Sequence, residues 1–162
     1  MTDVQVVPQS SMNADAVSGV AQFLGPVVVD LTALAVDGKQ AHWHVRGANF
    51  QAVHELLDEV VEHARVYADT AAERVVALGL PLDVRIQTVG AKATTPALRA
   101  GFQQSDAMIA QVIAAIDAAL TTVRTAVDEL GVLDPVSQDV AIEIARGLEK
   151  DRWFLFAHLA AK

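Results

Sequence analysis

A chain of 162 residues, 52% of them hydrophobic and none of them cysteine, is long enough to bury one sizeable core and has neither disulfide nor thiol chemistry available to it. Its net charge of −8 opposes binding to nucleic acid and to anionic membrane, because such affinity comes mainly from Lys and Arg displacing counterions. A positive mean hydropathy of +0.32 with only 5% aromatic residues points to exposed apolar surface that meets further copies of the chain.

One domain is expected over residues 1–162. Residues 1–12 read as an irregular segment with neither a basic leader nor an apolar targeting region, and the longest apolar run, FLGPVVV, stops at Asp30. A cytoplasmic protein is the expectation. Asn13, with Asp15, caps a first helix reaching about Val45, which Pro26 should kink or restart. The residues RGAN, 46–49, form a turn, and Asn49 opens a second helix that stops at Gly79 as a glycine just past its end. LPLDVRIQTVGAKATTP is a long connection with a helical turn near Asp83 to Val89. A third long helix spans roughly Ser105 to Leu130 and ends at Gly131; Asp134 and Pro135 then cap and start a fourth, running to about Ala160. Strand alternation, repeats and low-complexity tracts are absent from the sequence. The pattern is all-α: a four-helix bundle with a long crossover, carrying one short helix, between its second and third long helices.

The stretch HWHVRGANFQAVHELLD, 42–58, holds three of the five histidines. Along the second helix Phe50, Val53, Leu57, Val60, Ala64, Tyr67, Ala71, Val75 and Leu78 recur at three-four spacing and mark the core-facing stripe. At about 100° per residue, His54, Asp58, Asp69 and Glu73 fall together on a face roughly 140° away from that stripe. His54 with Asp58, and Asp69 with Glu73, are each i, i+4 pairs able to hold one ion. The two pairs are separated by about 16 Å of helix, too far to share an ion within one chain. Two such helices packed antiparallel about a two-fold axis near His63 and Ala64 would bring the first pair of one copy to the second pair of its mate. His42 reaches the same place if the turn folds it back. Imidazole with carboxylate suits Fe(II), Mn(II) or Zn(II), and carboxylates favour iron further once it is Fe(III).

Through GKQAHWHVRGANFQAVHELLDEVVEHARVYADTAAERVVALG, 38–79, and more weakly through LEKDRWFLFAHL in the fourth helix, the chain resembles the Dps family, dodecameric mini-ferritins of the ferritin-like superfamily. The resemblance implies a hollow shell of twelve subunits built from two-fold dimers. It also implies ferroxidase sites made of His42, His54 and Asp58 of one subunit with Asp69 and Glu73 of its mate. Fe(II) is oxidised there, preferably by hydrogen peroxide, and ferric mineral collects inside. Acidic residues at three-fold pores of similar proteins correspond to Asp134 and Asp139, with Asp128 and Glu129 nearby. Trp43 beside His42 is expected to be a packing residue; the alternative is that it shields the site and takes up a stray oxidising equivalent.

Many family members condense DNA through lysine-rich tails. Here no Lys or Arg precedes Lys39 and the chain ends LAAK, so twelve copies, carrying roughly −96 together, are expected not to bind DNA unless Mg²⁺ bridges them. Two other functions compete with iron storage. The same metal cluster could activate water for hydrolysis of a small N-acyl amide, although no residue pattern marks a substrate pocket. A purely structural nucleoid protein is the third reading, and the charge argues against it.

Overall fold

The computed structural model describes residues 9–47 and 49–159. Five helices carry nearly all of it: α1 Ala14–His44, α2 Phe50–Ala77, α3 Ile86–Lys92, α4 Ser105–Leu133 and α5 Pro135–Ala157. Two two-residue strands, β1 Val45–Arg46 and β2 Gln103–Gln104, pair in parallel with Val45 opposite Gln103.

Local chemistry explains the ends. The Asn13 side chain accepts a hydrogen bond from Ala16 N at 2.8 Å and so caps α1. At the end of α2, Gly79 has φ +102°. Its N–H reaches Val76 O at 2.9 Å and that of Leu80 reaches Val75 O at 3.4 Å, the paired bonds that close a helix onto a left-handed glycine. Asn49 does precede α2, but its side chain makes no capping bond.

Other expectations are corrected. α1 is unbroken through Pro26: Pro26 and Gln22, whose carbonyl loses its i+4 donor, are both exposed, so water can take the freed acceptor. The short helix begins at Ile86 rather than Asp83, because Asp83 turns back to pair with Arg85. Gly131 does not stop α4, which continues to Leu133. The glycine instead makes room for Gln138 of α5, whose amide would lie 2.6 Å from an added Cβ. Asp134, with φ −160°, is the actual break, and its side chain accepts from the Val136 and Ser137 N–H groups to start α5. The turn position Ala48 and the expected end of the fourth helix at Ala160 lie outside the described residues, as do positions 1–8.

α1 packs on α2, α4 on α5, α1 on α4 and α2 on α5, a square bundle. The β1–β2 bridge joins the end of α1 to the start of α4, so the crossover travels the bundle's length. Leu24, Leu31, Leu57, Ile116, Ile144 and Leu148 are fully buried in the shared core. α1 and α4 are apolar and long enough to cross a bilayer, yet half of each apolar stretch is buried within the bundle, the property of core helices.

Asp30 pins the crossover to this frame. It is 1% exposed, and its carboxylate accepts from Thr94 N at 2.7 Å, Thr94 Oγ1 at 2.7 Å and Thr122 Oγ1 at 2.6 Å. Three donors compensate for removing a charge from water. Asp30→Ala leaves these donors without their acceptor. It is expected to lower stability by roughly 2–4 kcal/mol in thermal or urea unfolding, with faster proteolysis of the crossover.

Candidate metal centre

The junction between α1 and α2 is held by two histidines that serve each other. His42 Nδ1–H donates to His54 O at 2.7 Å, and His54 Nδ1–H donates to His42 O at 2.8 Å. The His42 carbonyl is one of those left without an intrahelical partner at the end of α1, so the bond also satisfies a helix terminus. The rings stack with centroids 3.6 Å apart and planes 21° apart. Gly38, one turn earlier on α1, permits this closeness, since a Cβ there would meet Val61 Cγ2 of α2 at 2.8 Å. With both Nδ1 protons committed to main-chain carbonyls, each neutral ring keeps its lone pair on Nε2, which suits it to a metal.

Asp58 lies one turn beyond His54 and is exposed. The Lys39 ammonium hydrogen-bonds to its Oδ1. That bond, above all, holds the Asp58 carboxyl below the ordinary carboxylate range, and nearby His42 and His54 act in the same direction. Lys39 is a residue the sequence reading missed. Its signal was available: it sits three residues before His42 on the same helix, so both side chains project toward the start of α2. In the single chain its ammonium engages the oxygen that an incoming cation would take.

Asp69 and Glu73 are exposed further along α2. Beside Asp69 runs a shallow groove of about 370 Å³ lined by Val28, Thr32, Val36, Arg65 and Ala72. Exposed apolar side chains surround this half of the face: Val36, Val66, Val76 and Ile86 are each at least half exposed. Among the described residues, no three His, Asp or Glu side chains come together closely enough to hold a metal ion. One chain thus brings His42, His54 and Asp58 to one end of the face and leaves Asp69 and Glu73 at the other.

The remaining candidates divide by burial. Trp43 is 60% exposed beside His42. His44 faces elsewhere, donating from Nδ1 to Gln40 O at 2.8 Å and lying near the Phe102 ring. Asp128 and Glu129 on α4 and Asp139 on α5 are exposed. Asp134, at the same corner, is buried and committed: its Oδ2 accepts from Arg74 Nη2 at 2.6 Å and from Ser137 Oγ at 2.5 Å. The charge open to cations at this corner is therefore carried by the other three acids.

Burial acts to raise the Asp134 pKa, but the Ser137 and Arg74 hydrogen bonds outweigh it, and the carboxyl sits below its ordinary value of 3.8. A lowered folded-state pKa means that the stabilisation is complete above the unfolded value and disappears as pH falls through the folded one. Asp134→Ala should therefore cost about 1–2 kcal/mol at neutral pH, the loss of a cap, with the difference from the parent shrinking as both are unfolded at progressively lower pH. At the histidine end, Lys39→Met should return the Asp58 carboxyl upward toward 3.8, read by carbon-13 NMR titration of its side chain.

Comparison with known proteins places this arrangement. The ferritin-like domain family matches residues 24–161. The DNA protection during starvation protein of Agrobacterium fabrum is 32% identical over 157 residues, covering 95% of this chain and 96% of that protein. The protein of the same description from Mycolicibacterium smegmatis is 34% identical, covering 88% of this chain and 78% of its own length. Among solved structures, Dps from Microbacterium arborescens in its high iron form superposes with a TM-score of 0.90 at 57% identity, over 92% of this chain and 97% of that one. With the bundle, the long crossover and near full-length similarity in agreement, the chain belongs to the ferritin-like family and, within it, to the Dps proteins.

Proposed function

We propose that the protein is an iron-storing ferroxidase of the cytoplasm, assembled as a hollow dodecamer from two-fold dimers. In this reading it oxidises Fe(II) at sites shared between two subunits and keeps the ferric product inside. The observation that carries the reading is the division of one donor face into two incomplete halves: a stacked, tautomer-fixed histidine pair with Asp58, then Asp69 and Glu73 about 16 Å along the same helix. Neither half gives an ion a complete set of protein ligands. An antiparallel α2 from a second copy supplies each half with the other, and the exposed apolar residues around Asp69 give that contact a driving force. The similarity to a Dps protein solved in a high iron form supports iron as the substrate.

Each group has a part in binding and positioning. His42 and His54 offer Nε2 lone pairs held in place by backbone bonds, so little reorganisation accompanies metal entry. Asp58, Asp69 and Glu73 supply anionic oxygens, whose preference for Fe(III) over Fe(II) lowers the free energy of the oxidised state. Hydrogen peroxide is the preferred oxidant: two Fe(II) ions give one electron each, the O–O bond breaks, and two protons complete two molecules of water. Removing iron and peroxide together prevents hydroxyl radical formation. The exposed acids Asp128, Glu129 and Asp139 draw cations toward a three-fold entry, an attraction weakened by salt. Zn(II) or Mn(II) would compete at the same donors.

Mixing two inactive variants tests the shared site. His54→Ala and Glu73→Ala should each reduce peroxide-driven Fe(II) oxidation at least tenfold, followed as ferric absorbance after anaerobic iron loading. Dissociating and reassembling them together at equal amounts should restore about a quarter of the parent rate, since half of the dimers are mixed and each mixed dimer has one intact site of two. A site confined to one chain would show no restoration. On charge grounds, a gel-shift at low salt without Mg²⁺ should leave duplex DNA unmoved; a retarded band would support the nucleoid reading instead.

A further inference from the structure

Midway along α2, between the two donor pairs, the outward face carries Glu62 and Arg65. At about 100° per residue, both lie within about 30° of the centre of the face that His54, Asp58, Asp69 and Glu73 define. Both are exposed. Opposite charges three residues apart on a helix are placed to pair with each other. Here neither side chain makes an ion pair among the described residues. Arg65 instead lines the groove beside Asp69, with Val36, Ala68 and Ala72.

The charge around Arg65 gives it weight. Asp58, Glu62, Asp69 and Glu73 are exposed carboxylates on the same side of α2. The other arginine of α2, Arg74, is committed to Asp134, and Lys39 of α1 is taken by Asp58. Two such faces brought together without Arg65 would set acid against acid around the axis, which opposes association.

The register of the shared site determines what Arg65 meets. An axis that brings Asp58 to Asp69 and His54 to Glu73 passes midway between His63 and Ala64, and it brings Glu62 to Arg65 as well. Two equivalent bridges then flank the axis, separated by about 4.5 Å of helix rise. Sliding one helix by three residues in either direction sets Glu62 against Glu62 or Arg65 against Arg65.

We propose that Arg65 pairs with Glu62 of the partner subunit, and Glu62 with the partner's Arg65, so that two ion pairs set the register of the two-fold contact. The inference rests on the shared-site reading and adds what selects the alignment of the two chains. A second copy is the occupant because acid and base exchange places under a two-fold rotation, which makes the face self-complementary. Exposed Val36, Val66 and Ile86 supply attraction without direction, whereas opposed charges discriminate between alignments more than they add affinity. Arg65 is a positioning residue: it holds the two half-sites opposite each other and touches no iron.

Charge reversal in the full-length protein tests the pairing. Arg65→Glu leaves only carboxylates beside the axis, and Glu62→Arg leaves only guanidinium groups. Each variant alone should associate at least tenfold more weakly than the parent in sedimentation equilibrium, with unchanged helical circular dichroism. Dissociated and reassembled together in equal amounts, the two should form dimers containing one of each chain at well above the statistical half, counted by native mass spectrometry. The doubly reversed chain, Glu62→Arg with Arg65→Glu, should regain the parent's association, a rescue that a general loss of folding could not give. Single variants that associate like the parent overturn the pairing and leave the shared site standing, as do a mixture and a double reversal no better than the singles. A parent chain that stays monomeric overturns both.

Discussion

Two ring N–H groups, each donated to the other histidine's backbone carbonyl, tie the end of α1 to the beginning of α2 and determine what that junction can do. The bonds complete the hydrogen bonding of a helix terminus that loops often leave to water. They also decide the chemistry, because a ring anchored through Nδ1 can present only Nε2 outward. Fold and site thus share one constraint at this point: the contact that closes the α1–α2 hairpin is also the contact that orients the nitrogen donors. Gly38 supports it by letting the two helices come close one turn away.

Burial separates the acids by task. Asp30, Asp134 and Asp151 are each buried, and each is met by dedicated donors: threonines and a main-chain N–H, an arginine with a serine, and a histidine. These carboxylates hold the crossover, the α4–α5 corner and the α2–α5 contact in place. Removing a charge from water is costly unless such partners are present, so their donors are structural requirements. Asp58, Asp69 and Glu73 remain at the surface, where a carboxylate can exchange water, a lysine or a neighbouring chain for a metal. The candidate donors thus lie where charge is inexpensive to expose, and the architectural acids where charge is fully compensated.

A helix with an apolar stripe on one side and donors on the other would ordinarily place the donors in solvent. Here their flank also displays Val36, Val66, Val76 and Ile86, an arrangement that leaves hydrophobic area and ligands uncovered together. In the proposed dimer, covering the first with a second copy would also complete the second, and association would be linked to function by geometry. The same proposal would account for the length of α2, since two incomplete donor pairs would have to lie far enough apart for antiparallel helices to interleave them around a two-fold axis.

Much of this was legible in the chain. Three-four spacing located α2 and most of its core stripe, though Phe50 at its head is exposed and Leu56 and Val61 join the buried side; the Asn13 and Asp134 caps and Gly79 located helix ends, and the interval from His54 to Glu73 located a donor face. These are local properties, decided by residues within a turn or two of each other. Gly131 does not act as a stop because its reason lies across the bundle in Gln138, and α1 does not restart at Pro26, where Gln22 is exposed. The pairing of Lys39 with Asp58, of His63 with Asp151, and of Arg74 with Asp134 likewise spans helices. The sequence by itself determined the helices, their faces and the types of donor available. Only the tertiary structure decided which acids are buried and paired and which nitrogen each histidine turns outward, because both depend on neighbours that packing brings from distant parts of the chain.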